Sequence, residues 1–180
     1  LAKVYTGGSP VRVVTKEWQF IGAGYIGPVP VPVIIMIIAI IITALMMNKT
    51  KLGRHIYAVG GNTQAAEFSG IKVARVKFIV HAYAGLMAGL AGIILASRMY
   101  SGQPTAGEGA EMDAIAAVVV GGTSMAGGSG KIGGTIIGAL IIGVLNNGLN
   151  LMNVNSFWQD VVKGVVILLA VFIDYIRNRK

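Results

Sequence analysis

Val29 to Met47 reads VPVPVIIMIIAIIITALMM, nineteen residues without a charge. The hydrocarbon core of a bilayer needs about 20 apolar residues in helix, at about 1.5 Å each, so this run is long enough to cross one. Its Val-Pro-Val-Pro start is expected to be extended. Proline is tolerated in a first helical turn and not deeper, which places the helix start near Pro32.

Two more runs of similar length follow. Phe78 to Ser97 (FIVHAYAGLMAGLAGIILAS) is interrupted only by His81. Phe157 to Ile176 (FWQDVVKGVVILLAVFIDYI) carries Asp160 and Lys163 toward one end and Asp174 at the other, where side chains can snorkel to headgroups. Trp158 and Tyr175 stand where an interfacial aromatic belt belongs. Between these spans Ala114 to Val120 (AIAAVVV) is apolar but too short to cross alone. It runs into the glycine-rich stretch Gly121 to Lys131, and Ile132 to Leu145 is apolar again before Asn146, Asn147, Asn150, Asn153 and Asn155. The expected fold is an all-α polytopic transmembrane helix bundle of about five crossing segments, one of them broken or short.

Composition agrees. The 180 residues are 54% hydrophobic and 12% charged, with a mean hydropathy of +0.72 and no cysteine. A soluble domain carries about 25% charged residues, so this chain has too little polar surface to cover a globule in water. That excludes an ordinary soluble enzyme, a disordered tail and a disulfide scaffold. The formal net charge of +8 suggests nucleic acid only until the charges are placed. Residues 48–77 hold Lys49, Lys51, Arg54, Lys72, Arg75 and Lys77 against Glu67 alone, and Arg177, Arg179 and Lys180 end the chain. By the excess of positive charge on cytoplasmic loops, both segments are expected inside, with Lys131 on the same side. The opposite loop, Arg98 to Asp113, holds Glu108, Glu111 and Asp113. Five crossings then put the N-terminal segment outside and the C-terminus in the cytoplasm, and no nucleic-acid role is needed.

Motifs with chemical associations fail in detail. Gly128 to Gly133 (GSGKIG) is a literal G-x-G-x-x-G after a strand-like AIAAVVV, but no acid stands about 20 residues on to hold a ribose. The same stretch lacks the first glycine and the hydroxyl of a phosphate-binding loop, where Met125 and Ile132 stand instead. Irregular glycine-rich backbone at membrane depth is tolerated inside protein or lining a polar cavity. Gly85 with Gly89 and Gly134 with Gly138 are spaced for close helix packing. His81 has no partner at metal-ligand spacing, so a hydrogen-bonded core position is expected. No Ser-His or paired-carboxylate constellation is visible, so no catalytic residue, cofactor or metal site is assigned.

The basic loop contains Asn62-Thr63-Gln64-Ala65-Ala66-Glu67-Phe68-Ser69-Gly70, with an N-cap residue, helix formers and a terminating glycine. A short helix parallel to the membrane is expected. It is either a structured loop or a docking helix for a soluble partner, with Ala65, Ala66 and Phe68 suited to a groove.

The run GRHIYAVGGNTQAAEFSGIKVARVK (Gly53 to Lys77), then GLMAGLAGIILASRM, EMDAIAAVVVGGTSMAGGSGKIGGTIIGALIIGVLNNGLNLM and VVKGVVILLAVFID, resembles the membrane-spanning permease of ribose-type sugar ATP-binding-cassette importers. The likeness extends from about Pro28 to Lys180 and corresponds to the C-terminal half of such a permease; residues 1–28 resemble the external loop before it. The chain opens on Leu1 rather than Met and is expected to be a piece with its upstream part missing.

The resemblance implies a permease subunit importing a monosaccharide across the bacterial inner membrane. Its implied partners are two ATPase subunits that hydrolyse the ATP, a periplasmic sugar-binding protein and a second permease copy. It implies that Asn62, Ala65, Ala66, Glu67, Ser69 and Gly70 form the ATPase-coupling helix within the loop 48–77. Gly121, Gly122, Thr123 and Ser124, with Asn146, Asn147 and Asn150, are expected to line or gate the pathway, because their hydroxyls and amides are concentrated in otherwise apolar spans. The competing class is a secondary transporter or channel without an ATPase, which would be expected to place coupling carboxylates inside the spans, whereas Asp113, Asp160 and Asp174 are expected near interfaces.

Overall fold

The structure, a computed structural model, describes Val4 and residues 6–12 and 15–178, without the side chains of residues 173, 174, 177 and 178. Arg179 and Lys180 of the basic tail lie outside the described residues, as does Leu1. The described chain is all-α apart from two-residue strands, and it divides into two compact units, residues 1–50 with 74–108 and residues 51–73 with 109–180.

The first unit contains strand β1 (Val11–Arg12), helix α1 (Lys16–Ala23), strands β2 (Tyr25–Ile26) and β3 (Val29–Pro30) and helix α2 (Val31–Lys49). Helix α5 (Val73–Arg98), apart from its first residue, and strand β4 (Ser101–Gly102) complete it. The strands form two antiparallel ladders, β1 with β4 and β2 with β3. Val29 and Pro30 are extended as expected, and α2 starts at Val31 with Pro32 in its first turn, where a missing N–H costs nothing. Helix α1 lies within the stretch expected only as external loop. It is held by Ser97, fully buried near the end of α5, whose hydroxyl donates to the Trp18 carbonyl and accepts from the Gly22 amide at 2.7 Å. Glycine is required at position 22, since a Cβ there would sit 2.7 Å from both Cβ and Oγ of Ser97.

Between α2 and α5 the hydroxyls of Thr43 and Tyr83 lie 2.6 Å apart. Thr43 donates its proton to the Ala39 carbonyl at 2.7 Å, so Tyr83 is the donor to Thr43 and neither group is left unpaired among apolar neighbours. His81 is not a core residue: it is exposed, with Nδ1 2.8 Å from the Lys77 carbonyl of its own helix. A methyl group added at Gly85 or Gly89 would meet nothing within 4 Å, so no described element packs against that pair.

The second unit contains α3 (Lys51–Gly61), α4 (Thr63–Phe68), α6 (Ala110–Val120), α7 (Ile132–Leu151) and α8 (Ser156–Asn178). Its core is small, built on Ala116, Ala117 and Ile142 with Val120, Val166 and Ile167 against them. Gly134 and Gly138 of α7 do serve as expected: a methyl on Gly138 would collide with the Ala117 carbonyl and one on Gly134 with the Gly121 carbonyl, so α6 and α7 meet backbone to backbone. The segment AIAAVVV is helix rather than strand, which removes the strand that a dinucleotide-binding turn needs.

Among the described residues three helices are long and apolar enough to cross a membrane, α2, α5 and α7, and few of their residues are fully buried within the chain. Ile37, Ile38, Ile41, Ile42 and Leu45 of α2 are all about half exposed, which water would not permit at that density. Helix α8 is also of membrane length, about 34 Å, whereas α6 at about 16 Å covers half the distance.

Replacing Ser97 by Ala strands the buried Gly22 amide and is expected to lower stability in detergent by about 1–3 kcal/mol. Thermal unfolding of the solubilised protein measures it, and a Ser97→Ala protein as stable as the wild type would refute the clamp.

Candidate functional site

Helix α4 is closed at both ends by local hydrogen bonds. Asn62 accepts the Ala65 amide on its side-chain oxygen at 2.9 Å, satisfying one of the free N–H groups of the first turn. At the other end Gly70 takes φ +80°, its amide donates to Glu67 at 2.9 Å, and the Ile71 amide donates to Ala66 at 3.0 Å. This pair of bonds is the Schellman termination, and it uses glycine because an L side chain is strained there. Ser69 Oγ adds a bond to the Ala65 carbonyl at 2.8 Å.

The faces of α4 differ from the expected docking surface in one respect. Ala65 and Glu67 are exposed and Phe68 is 93% exposed, but Ala66 is 4% exposed. Ala66 therefore cannot enter a partner's groove as α4 now lies, whereas the other residues from Asn62 to Gly70, Ala65, Glu67 and Phe68 among them, are exposed.

The preceding helix α3 is not among the elements expected from sequence, although Leu52, Ile56 and Val59 recur at helical spacing within the basic loop. A single residue separates α3 from α4. The Asn62 amide donates to Ala58 at 3.0 Å and the Thr63 hydroxyl to the Val59 carbonyl at 3.0 Å.

The glycine-rich stretch is ordered by the same kind of local bonding. Helix α6 stops at Val120 because Gly122 enters the left-handed region at φ +81°, its amide donating to Val119 at 2.9 Å and the Thr123 amide to Val118 at 3.1 Å. Gly121 abuts Gly134, and Ser124 is buried, with its amide donating to the Ser129 carbonyl at 3.0 Å. A crevice of about 500 Å³ opens here, lined by Tyr57, Gly121, Gly122, residues 128–131 and Gly134.

The asparagines occupy the other end of α7. Asn146 lies twelve residues beyond Gly134, about 18 Å along the helix, so the two expected pathway sets stand toward opposite ends of α7. Asn146 Nδ2 donates to Asp113 Oδ2 at 3.0 Å, and Lys163 Nζ pairs with Asp113 Oδ1 at 2.9 Å and with Asp160 at 3.7 Å. Asn146 Oδ1 is buried and has no hydrogen-bond partner among the described residues. Asp113, expected near an interface, and Lys163, expected toward one end of its span, thus form with Asn146 one network joining α6, α7 and α8.

The other asparagines have different work. Asn150 accepts from Gln159 at 3.0 Å, Asn155 caps α8 by accepting the Phe157 amide at 3.1 Å, and Asn153 takes φ +53° to end α7. Asn147 is exposed. No group of His, Cys, Asp or Glu suited to holding a metal occurs among the described residues.

Residues 3–171 match the model of the branched-chain amino acid transport system / permease component family. The chain belongs to this family. The permease chain is 56% identical over 176 residues to the ribose import permease protein RbsC of Bacillus subtilis and 55% identical over 175 residues to that of Escherichia coli. These alignments cover 97% and 95% of the chain but 55% and 54% of the relatives, so the permease chain spans about half the length of the ribose proteins it matches. It is also 49% identical over 152 residues to the xylose transport system permease protein XylH of Escherichia coli, covering 84% of this chain and 39% of that one. No solved structure matches it significantly. The likeness to sugar-importer permeases read from the motifs is borne out, and the protein is a multi-pass membrane protein.

Removing one charge of the Asp113–Lys163 pair leaves the other without compensation. Asp113→Leu or Lys163→Met is expected to cost about 2 kcal/mol, below the roughly 3–5 of a fully buried pair because Asp113 keeps some solvent contact. The double substitution should recover most of the loss. A double-mutant cycle on melting in detergent measures the coupling, and additive losses would show that the pair contributes nothing.

Proposed function

We propose that this chain is part of the translocation subunit of a monosaccharide importer of the ATP-binding-cassette type, with ribose-like sugars as the substrate class. The observation that carries the reading is α4: a helix of six residues, capped at both ends, presenting Phe68 almost wholly to solvent within the most basic loop of the chain. An isolated helix of that length is unstable in water, and a fully exposed Phe on it has no role in holding the fold. An ATPase groove that receives Phe68 beside Ala65 accounts for both. The likeness to ribose and xylose permeases supports the substrate class.

In this reading, residues 29–180 belong to the C-terminal part of the permease domain, preceded by an external segment. The loop 48–77 and the C-terminus lie in the cytoplasm of a bacterial inner membrane. ATPase subunits beneath close on ATP and move α4, a second permease copy completes the pathway, and a periplasmic binding protein delivers the sugar. The permease forms and breaks no covalent bond. Asn147 offers its amide to sugar hydroxyls from one end of α7, joined by Asn146 and Asn150 when they exchange their present bonds to Asp113 and Gln159, and Gly121 to Ser124 form a separate constriction at the other.

A carrier driven by ion coupling is the rival, and Asp113 is the carboxylate it would use. Lys163 at 2.9 Å already neutralises Asp113, which makes it a fastening between helices rather than a free proton carrier.

Ala65→Glu in the full-length permease is expected to abolish co-purification of the ATPase and sugar uptake while leaving the protein in the membrane. Retained ATPase association would count against docking by α4. Replacing Asn146 and Asn147 together by Leu is expected to reduce uptake with ATPase association unchanged; uptake at the wild-type rate would remove them from the pathway.

A further inference from the structure

The end of α3 and the turn after α6 touch through their main chains. A Cβ on Gly60 would lie 2.8 Å from the Gly128 nitrogen, one on Gly127 2.5 Å from the Gly60 carbonyl oxygen, and one on Gly128 2.6 Å from the Gly61 Cα. None of these is the end of a flexible side chain, so a methyl group at any of the three forces backbone apart. Gly127 and Gly128 also stand at φ +92° and +74°, where glycine is needed on conformational grounds alone. Gly60 is under no such constraint, and only the close approach explains it. The Tyr57 hydroxyl donates to the Gly130 carbonyl at 3.1 Å, one turn away on the same side of the contact.

We infer that this glycine contact, fastened by Tyr57, is a rigid joint that carries movement of the docking helix α4 to the broken span α6–α7. The inference rests on the docking role of α4 proposed above. It names the positioning residues, Tyr57 and Gly60 with Gly127 and Gly128, that connect that surface to the pathway. The mechanical chain is continuous within one unit. Helix α4 follows α3 after one residue, with hydrogen bonds bridging the junction. Helix α3 ends on the 127–130 turn, and that turn is tied back to the end of α6 by the bond between Ser124 and Ser129 and by the abutment of Gly121 on Gly134. Side chains between two backbones can absorb a displacement by changing rotamer. Backbones in direct contact lack that compliance, and a displacement of one is delivered to the other.

The test uses the full-length permease with its ATPase and binding protein in proteoliposomes, in a cysteine-free background, reading ATPase co-purification, ATP hydrolysis and sugar uptake in each variant. Gly60→Ala is expected to keep the ATPase bound and hydrolysing while uptake per ATP falls about tenfold, a size typical of coupling between sites. Tyr57→Phe, which deletes one hydroxyl and leaves the glycines in place, should move the same ratio in the same direction by a smaller factor. A short thiol cross-linker between Gly61→Cys and Ser129→Cys should leave uptake within about twofold of the uncross-linked protein, because the two sides of a rigid joint move together. An unchanged ratio in Gly60→Ala and Tyr57→Phe would overturn the joint, as would arrest of uptake by the cross-link, which would make the contact a sliding surface. Loss of ATPase binding in Gly60→Ala would place these residues in docking itself and overturn transmission. Ala65→Glu in the same assay separates the two readings, since its failure to disturb ATPase binding removes the docking helix whatever Gly60→Ala does.

Discussion

Within a bilayer every main-chain N–H and C=O must find a partner in the protein, and the half-length helix α6 is where this chain meets that requirement under the greatest difficulty. It stops at Val120, which would leave its last carbonyls bare among apolar helices. Gly121 and Gly122 resolve this by turning the chain back on itself, so that the amides of Gly122 and Thr123 satisfy the carbonyls of Val119 and Val118. The turn that results is compact enough for α7 to lie directly on α6 through Gly134 and Gly138, and its far side is free to meet Gly60. Packing in the second unit, the position of the crevice and the contact with the basic loop all follow from that one termination.

Glycine here does two separable things. At 70, 122, 127 and 128 it supplies a left-handed backbone that other residues reach only with strain. At 60, 121, 134 and 138 it supplies the absence of a side chain, so that main chains approach within van der Waals contact. In water such a surface would bury little apolar area and hold weakly. In lipid, where the hydrophobic effect does not drive helices together, close packing is the available source of cohesion. The polar end of the same bundle uses a different means: Asp113, Lys163 and Asn146 satisfy one another across three helices, and the charges cancel where neither could stand alone.

The resemblance to sugar-importer permeases and the geometry of α4 bear on function in different ways. Identity near 55% to ribose import permeases places the chain in their family, while the six-residue helix is set apart by its outward Phe68. The burial of Ala66 removes that residue from the surface and leaves the rest of the helix exposed.

The membrane character, the positions of α2, α5 and α7, the half-length of α6 and both ends of α4 were legible in the sequence. Each depends on local physics: the length of an uncharged run, a proline allowed only in a first turn, an asparagine before a helix and a glycine after it. Helix α1 and helix α3 were not legible as such, since their short apolar patterns are diluted by charge and glycine and they are held by contacts with distant residues, Ser97 in one case and the 127–130 turn in the other. Sequence spacing likewise grouped Asn146, Asn147 and Asn150 as one cluster, where the fold gives Asn146 to a charged network and Asn150 to Gln159 and leaves Asn147 exposed. Residues near in sequence share a composition, but only the fold decides which of them share a partner. The pairing of Asp113 with Lys163, fifty residues on, and of Gly60 with Gly128 is decided by which backbones the tertiary structure brings into contact, and no local pattern records it.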